Sequence, residues 1–352
     1  MKTLIVFLRR LIFVSVLIVL AIGLSLFVNK PVPEPVGPAD YTFTLGTSYQ
    51  VKTGLYNVPD TATRIVVVGD SRYLYFSADV NGYRAKVAAD DTKLVLGEPE
   101  LITKPNGETN PSLAVQRYNA VGSTLVRPDG SVCVFTHSEY WTNGKSFPFA
   151  AEIQVLCDGS RLQKVVLRGA SGTTVLPDRV SGVGQPCTLT IEDEVYVYYT
   201  DWDSGLDAIH VAKADVASVE NAASWKKYKN GSFSTPGLGG ESDPVVRPPT
   251  GEDHYAAVCS VSYNTFLEQY IMLFQTEKAV YFTTSHDALV WENVKRVKDI
   301  DLLSGQGYFS FISLNGNSMI TSQTGVLVFS NRGSGTLDTM YAQPITLSEL
   351  KK

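Results

Sequence analysis

The stretch "CTLTIEDEVYVYYT", residues 187–200, places an apolar strand, a charged turn and a second, tyrosine-rich strand within 14 positions. Alternating apolar residues bounded by Gly, Asp or Asn are typical of β-hairpins. Four other segments have the same pattern, with a second strand that ends in an aromatic residue followed by Ser, Thr or Gln. They are "RIVVVGDSRYLYFS" (64–77), "STLVRPDGSVCVFT" (123–136), "AAVCSVSYNTFLEQYIMLFQ" (256–275) and "FSFISLNGNSMITSQTGVLVFS" (309–330). The chain therefore repeats one hairpin five times.

The spacing of these hairpins indicates the architecture. The closing aromatic residues are separated by 59, 64, 75 and 55 positions, and they are Phe76, Phe135, Tyr199, Phe274 and Phe329. A third strand-like segment follows each hairpin: "YRAKVAA", "EIQVLC", "AIHVAKA", "AVYFTTS" and "TMYAQPI". Repeats of this size with three or four strands are typical of propeller blades, whose radial arrangement leaves only short, protected sheet edges. We predict an all-β, five-bladed β-propeller over residues 41–352. The alternative is a two-sheet sandwich with a coincidental repeat.

Composition supports strands and argues against polyanionic partners. Aromatic residues make up 11% of the chain and charged residues 18%, which favours strands because aromatic side chains pack well on a pleated surface. The net charge is −5, and no dense Lys/Arg cluster is present. We therefore expect no nucleic-acid partner. We also expect no cofactor and no metal, since no segment has the ligand spacing of a calcium loop or a zinc site.

The N-terminus predicts a membrane segment. Residues 11–28 form an apolar run of 18 residues, close to the length that spans a hydrocarbon core, and Lys2, Arg9 and Arg10 precede it. By the positive-inside rule these cations stay cytoplasmic. We predict that residues 1–28 form a transmembrane or signal-anchor helix; the alternative is a signal peptide cleaved near Ala21-Ile22-Gly23. In both cases the globular part lies outside the cytoplasm, in the periplasm or the extracellular space.

A linker and four cysteines follow. Residues 29–40, "NKPVPEPVGPAD", contain four prolines and predict a semi-rigid spacer between the membrane and the propeller.

Cys133 and Cys157 lie in successive strand-like segments and could form a disulfide in an oxidising compartment. The alternative for these cysteines, as for Cys187 and Cys259, is a buried free thiol.

The hairpin repeat also predicts where a functional site would lie. In a blade the first strand and the antiparallel second strand place the start of one and the end of the other on the same face. This face, the funnel, would collect, from first-strand starts, Tyr118, Asn119, Gln185, His254, Gln306 and Tyr308. From second-strand ends it would collect Asp79, Asn331 and Arg332. It would also collect "HSEYW" (137–141) and "DWD" (201–203) from second-strand ends. Binding residues are therefore expected on the funnel.

Two segments resemble a known family. "GVGQPCTLTIEDEVYVYYTDWD" (182–203) is similar to the Gly-Gln-Pro-Ser, Asp-Gly turn and Tyr-Tyr-Thr strand of five-bladed propellers related to glycoside hydrolase family 43, the arabinanase and β-xylosidase group, and more distantly to the β-fructosidases. "YNTFLEQYIMLF" (263–274) with "VYFTTSHDALVW" (280–291) resembles the same superfamily's strand, turn, strand and Trp-containing turn, with Ala288 where glycine is usual. The resemblance implies the propeller fold and a carbohydrate ligand.

The resemblance also implies a mechanism. Glycoside hydrolysis uses one carboxylic acid to protonate the leaving oxygen and one carboxylate to activate water or attack the anomeric carbon. In family 43 the base and a modulating aspartate usually lie at Asp-Pro-like blade starts, and the acid is a glutamate of a later blade. Here Gln185-Pro186 stands where an aspartate is expected, blade one shows no clear equivalent, and Asp243-Pro244 falls in a long loop. The family's catalytic residues therefore do not transfer directly.

The candidate catalytic residues are Asp201, Asp203 and Glu139. Asp201 and Asp203 flank Trp202 at a predicted funnel position, and an aromatic face beside carboxylates suits a sugar ring. The alternative for this turn is a solvated loop whose aspartates bind local backbone amides. Glu139 lies between His137 and Trp141, and we choose it as the general acid because the neighbouring aromatic side chains exclude water from the carboxyl.

The candidate substrate-binding residues share predicted positions on the funnel or on the Gly-rich loop that could reach over it. They are Trp202, Trp141, Gln185, His137, His254, Glu241, Asp243 and Arg332. We predict a monomeric, extracytoplasmic, glycoside-hydrolase-like propeller that binds or cleaves a carbohydrate. The alternative is a non-catalytic glycan-binding or cell-envelope scaffold.

Overall fold

The computed structural model describes residues 40–90, 92–158, 161–169, 172–203, 207–249, 253–333 and 335–350. Across these ranges the secondary structure is almost entirely β, with 3-10 turns at Val216–Ser218, Ala222–Ser224 and Leu302–Ser304. None of the described residues belongs to a helix with the length and apolar character needed to span a membrane. The predicted anchor (1–28) and residues 29–39 of the predicted linker lie outside the described residues.

The strands fall into five groups of antiparallel strands, here called blades 1 to 5. Short parallel pairings, Asn81 with Asn119 and Ser181 with Ala150, join blade 1 to blade 2 and blade 2 to blade 3. Two strands precede blade 1: β1 (Tyr41–Leu45) and β2 (Tyr49–Gln50). Blade 1 contains β3 (Arg64–Val68), β4 (Ser71–Ala78), β5 (Asn81–Lys86) and β6 (Glu100–Thr103). Blade 2 contains β7 (Val115–Val126), β8 (Val132–Trp141), β9 (Phe149–Cys157) and β10 (Gln163–Val166). Blade 3 contains β11 (Ser181–Ile191), β12 (Glu194–Asp201), β13 (Ala208–Asp215), β14 (Lys226–Lys229), β15 (Ser232–Pro236) and the short β16 (Pro244–Val246).

The last two blades complete the chain. Blade 4 contains β17 (Ala257–Asn264), β18 (Gln269–Gln275), β19 (Ala279–Ser285) and β20 (Glu292–Asp299). Blade 5 contains β21 (Gly307–Ile312), β23 (Thr324–Asn331) and β24 (Thr339–Glu349), while β22 (Ile320–Thr321) pairs in parallel with β17. The N-terminal β1 pairs antiparallel with β24 and supplies the fourth strand of blade 5. Both ends of the described chain therefore build the same blade.

The buried core shows that the blades form a closed ring. Apolar clusters lie between blades 1 and 2, 2 and 3, 3 and 4, and 4 and 5. A further cluster packs Ile65, Leu74 and Phe76 of blade 1 against Val328 and Met340 of blade 5. Each blade thus buries both faces against its two neighbours, which a two-sheet sandwich does not do. The all-β propeller prediction is confirmed, and the five predicted hairpins are the first two long strands of the five blades.

The disulfide that the sequence left open is present in blade 2. Cys133 of β8 lies directly opposite Cys157 of β9, and the two are bonded. Cys187 and Cys259 are free and buried.

Candidate active site

A cavity of about 510 Å³ lies on the face where first strands begin and second strands end. Its lining comes from residues far apart in the chain: Asn57, Pro59, Asp60, Asp79, Val80, Tyr118, His137, Glu139, Trp141, Ser146, Phe149, Gln185, Tyr308 and Asp338. This size is typical of small-molecule sites. Aromatic rings and carboxylates alternate around it, so both stacking and hydrogen-bonding groups are available.

One side of the cavity is built by β8. His137, Glu139 and Trp141 occupy alternate positions of this strand, so their side chains point to the same face of the sheet. Nε2 of His137 lies 3.0 Å from Oε1 of Glu139, and Nε1 of Trp141 donates to Oε2 at 2.8 Å. Glu139 is almost entirely buried. Both of its carboxyl oxygens are therefore held by ring nitrogens of its own strand.

The protonation state of His137 follows from its second nitrogen. The backbone N–H of Gln185 donates to Nδ1 of His137 at 3.3 Å. Because a backbone N–H can only donate, Nδ1 is the acceptor and the ring proton lies on Nε2, which donates to Glu139. A bulge in β11 between Gly184 and Cys187, with Gln185 at a φ of 54°, directs this N–H toward the ring. In this tautomer His137 directs its Nε2–H toward Glu139.

Close packing holds this ring in place. A Cβ on Gly184 would lie 2.1 Å from Nδ1 of His137, so only glycine fits there. Ring centroids of Tyr118, Trp202 and Phe149 lie 5.4, 5.9 and 6.3 Å from that of His137. The orientation of Glu139 is consequently set by packing as well as by hydrogen bonds.

Asp60, which precedes blade 1, supplies a second carboxyl group to the cavity. The Tyr118 hydroxyl donates to its Oδ2 at 2.7 Å, and the Tyr308 hydroxyl also hydrogen-bonds it. Burial raises the pKa of Asp60 to about 6, the two hydroxyls oppose this shift, and the nearby charge of Glu139 adds to it. Asp60 is a carboxyl group just before blade 1 that the sequence analysis did not single out. The signal in the sequence is Pro59-Asp60, the reverse of Asp-Pro, four residues before Arg64 at the start of β3.

The Asp201-Trp202-Asp203 turn lies beside the cavity and contributes no lining residue to it. Oδ1 of Asp201 accepts from the backbone N–H of Asp203 at 2.9 Å, and Oδ2 of Asp203 accepts from Gly182 at 2.8 Å. Arg168 lies 3.5 Å from Asp201. Burial raises the pKa of Asp201 to about 6 although Arg168 opposes the shift. Trp202 contacts the site only through His137 and Phe149, so the catalytic role assigned to the two aspartates remains a prediction.

Of the other predicted binding residues, some line the cavity and others do not. Trp141, Gln185 and His137 line the cavity. Arg332 reaches it indirectly, because its Nε donates to Asp338 at 2.8 Å and Asp338 is a lining residue.

Three predicted binding residues are engaged elsewhere. Glu241 and Asp243 form ion pairs of 3.1 and 3.2 Å with Lys229. His254 is largely exposed and pairs with Glu277 at 2.7 Å. None of the three lines the cavity, and their assignment as substrate contacts stays a prediction.

Within the described ranges, no cluster of three or more His, Cys, Asp or Glu side chains has the arrangement of a metal site. The carboxyl groups that line the cavity are Asp60, Asp79, Glu139 and Asp338.

The fold is that of the five-bladed propeller glycoside hydrolases, and the resemblance predicted from the sequence is confirmed over most of the chain. One similar solved structure is Zg3597, a family 117 glycoside hydrolase from the marine bacterium Zobellia galactanivorans. The match has a TM-score of 0.51 and 12% identity, and it covers 88% of this chain and 91% of that one. At this identity the match establishes the fold alone.

Two further structures are similar at lower TM-scores. The catalytic domain of the Coprinopsis cinerea GH62 alpha-L-arabinofuranosidase has a TM-score of 0.49 and 9% identity, covering 88% of this chain and 98% of that one. A thermostable family-43 glycoside hydrolase has a TM-score of 0.44 and 10% identity, covering 90% and 92%. No protein-family model matches the chain, and no curated protein sequence matches it.

Proposed function

We propose that this protein is an extracytoplasmic glycosidase whose catalytic carboxyl groups are Asp60 and Glu139. The observation that carries the proposal is that both groups line one cavity from different blades, each in its own environment. Asp60 is bonded by tyrosine hydroxyls, whereas Glu139 is bonded by ring N–H groups. Two carboxyl groups in distinct environments are what acid and base roles in glycoside hydrolysis require.

We assign the base role to Asp60. A base works best when its pKa is close to the working pH, and burial raises the pKa of Asp60 to about 6. At neutral pH the group is therefore mostly ionised and is still basic enough to take a proton from water. The hydroxyls of Tyr118 and Tyr308 orient its carboxylate.

We assign the acid role to Glu139. When this group gives its proton to the leaving oxygen it becomes a carboxylate, and the N–H donors of His137 and Trp141 then stabilise the new charge. The indole of Trp141 and the ring of Phe149 line the same cavity and offer faces on which a sugar ring could stack.

The location outside the cytoplasm is part of the proposal. The disulfide between Cys133 and Cys157 supports it, since such bonds persist mainly in oxidising compartments. The charge pattern of residues 1–28 supports membrane anchoring with the propeller outside.

The test is hydrolysis of a panel of aryl glycosides and envelope polysaccharides by the purified full-length protein. We expect Asp60→Asn and Glu139→Gln each to lower kcat/KM by about 10²- to 10⁴-fold. The control Asp70→Asn makes the same charge change in the distal β3–β4 turn and should leave turnover unchanged. If Asp201→Asn abolishes turnover while Asp60→Asn does not, our assignment of the catalytic pair is wrong and the DWD assignment is right.

The second candidate function is a glycan-binding propeller without catalysis. It is favoured by one observation, the engagement of both Glu139 oxygens by neighbouring rings, which is also how a purely structural carboxylate is held. Binding of a glycan without turnover by the wild-type protein, retained in Glu139→Gln, would establish this function instead.

A further inference from the structure

The inference concerns which glycans the cavity accepts, and it rests on the proposed function. The cavity is lined by four carboxyl groups, Asp60, Asp79, Glu139 and Asp338. No lysine or arginine is among the lining residues that the structure describes. Glu139 is protonated when it acts as the acid of the proposed function, so the negative charge of the lining comes from Asp60, Asp79 and Asp338. Three aspartates around one cavity are a local concentration of negative charge in a chain whose net charge is only −5.

The cations nearest to this lining do not cancel it. In the tautomer that accepts the Gln185 backbone N–H at Nδ1, His137 adds no positive charge. Arg332 pairs with Asp338 through Nε at 2.8 Å from outside the lining. Within the part of the chain that the structure describes, no lysine or arginine forms an ion pair with Asp60, Asp79 or Glu139.

The outer carboxylates are held in position by the loops that carry them. Asp79 lies in the tight β4–β5 turn at a φ of 50°, and its Oδ1 accepts from Nδ2 of Asn57 at 2.6 Å. The backbone N–H of Asn57 donates in turn to the carbonyl of Asp338 at 2.7 Å. Asp79, Asn57 and Asp338 are therefore linked to one another across the cavity wall.

A fixed group of carboxylates in a cavity discriminates by charge. Sugar hydroxyls donate hydrogen bonds to carboxylates, and a protonated amine gains in addition from their field. A carboxylate or sulfate on the sugar meets like charge at short range, where water screens it poorly. We propose that the cavity binds neutral and amino-bearing glycans and rejects uronic-acid-containing and sulfated ones.

The experiment measures binding by calorimetry to the full-length protein, using matched methyl glycosides. Each set keeps one skeleton, glucose or galactose, and compares the neutral sugar with its 6-carboxylate, its 6-sulfate and its 2-amine. We expect the anionic members to bind at least about tenfold more weakly than the neutral member at low salt. The difference should shrink at 0.5 M salt, because screening acts on charge and not on shape.

Variants of the two outer carboxylates, here called the rim variants, separate the effect of charge on binding from the effect of cavity shape. Asp79→Asn and Asp338→Asn keep the shape and can still accept from Asn57 and Arg332, so each should improve binding of the anionic members several-fold relative to the neutral member. Asp70→Asn, in the distal turn, should change neither.

The outcomes are distinct for the two proposals. Anionic sugars that bind as tightly as neutral ones, or rim variants without effect on the discrimination, would overturn the charge selection and leave the proposed function standing. Failure of every sugar in both skeletons and of the polysaccharide panel to bind would overturn the proposed function and this inference with it.

Discussion

Gln185 stands where the family resemblance predicts an aspartate, and it contributes a backbone hydrogen bond to the site in place of a carboxyl group. The family resemblance places an aspartate near this position, and the side chain found there is directed to Thr200, whose hydroxyl donates to Oε1 at 3.0 Å. What Gln185 contributes is its backbone N–H, which fixes the tautomer of His137. In the proposed function, Asp60 of the segment before blade 1 takes the role of the carboxyl group that is missing from blade 3. A substitution at one blade is thus compatible with a complete pair of carboxyl groups.

The pH dependence of turnover tests Asp60 as the base. Its pKa is raised to about 6, and a base must be deprotonated to act. On the acidic side of the pH profile we therefore expect kcat/KM to reach a plateau above pH 6. Below pH 6 it should fall about tenfold per pH unit. The measurement is a pH profile from pH 4 to 8 with a neutral aryl glycoside.

Asp201 provides the control for this profile, because burial raises its pKa to about 6 as well. Asp201→Asn should keep the acidic limb if Asp60 is responsible for it. A profile that loses the limb in Asp201→Asn would assign the titration to the DWD turn and refute the role of Asp60.

At the scale of elements, β8 connects stability to the site. Cys133, Phe135, His137, Glu139 and Trp141 share one face of this strand, so the disulfide at its start and the site at its end are parts of one alternating pattern. The register between β8 and β9 is continuous from the Cys133–Cys157 pair onward. Phe135 packs in the core between blades 2 and 3 and meets the ring of Trp225 at 5.8 Å.

Removal of the disulfide should destabilise the propeller. The bond closes a loop of 24 residues, and the double variant Cys133→Ser, Cys157→Ser should lower the free energy of unfolding by about 2–4 kcal/mol. The measurement is denaturant unfolding with and without a reductant. Reduction should weaken the wild-type protein and leave the double variant unchanged. A wild-type protein that is insensitive to a reductant able to open the bond would contradict this prediction.

At the scale of the whole molecule, the ring is closed by the two ends of the described chain. β1 pairs with β24 over Tyr41–Leu45, and the Tyr41 side chain is buried between blades 4 and 5. Nζ of Lys295 in β20 lies 4.1 Å from the Tyr41 ring centroid and donates to the Tyr41 carbonyl. β1 thus covers the edge of blade 5 and ties it to blade 4.

Deletion of β1 should open this ring. Without residues 1–46 the chain loses the buried Tyr41 and the pairing that covers the edge of β24, so we expect stability to fall by about 3 kcal/mol or more. The matched control lacks residues 1–39 and keeps β1. Thermal unfolding of the two truncations is the measurement, and equal midpoints would show that β1 does not close the propeller.

Most of the fold could be predicted from the sequence, while only part of the site could. The period-2 alternation and the polar turns are local properties, and for this reason the five hairpins and their third strands were predicted at the positions that the structure shows. The positions of Glu139, His137 and Trp141 on the funnel followed from the same hairpin geometry. Asp60 was missed because it lies in a loop outside the repeated hairpin, where no periodic pattern indicates a direction for its side chain.

The sequence by itself determined that the chain is all-β and contains five hairpins, one for each blade. It also determined the face on which the ends of these strands meet. Only the tertiary structure decided which side chains on that face share a cavity. Asp60, Tyr118, Glu139 and Tyr308 meet because the ring brings blade 1, blade 2 and blade 5 together. The same packing turned Asp201 and Asp203 toward Arg168 and their own backbone. The physical reason is that strand formation depends on neighbouring residues, whereas convergence of side chains depends on contacts between residues that are distant in the chain.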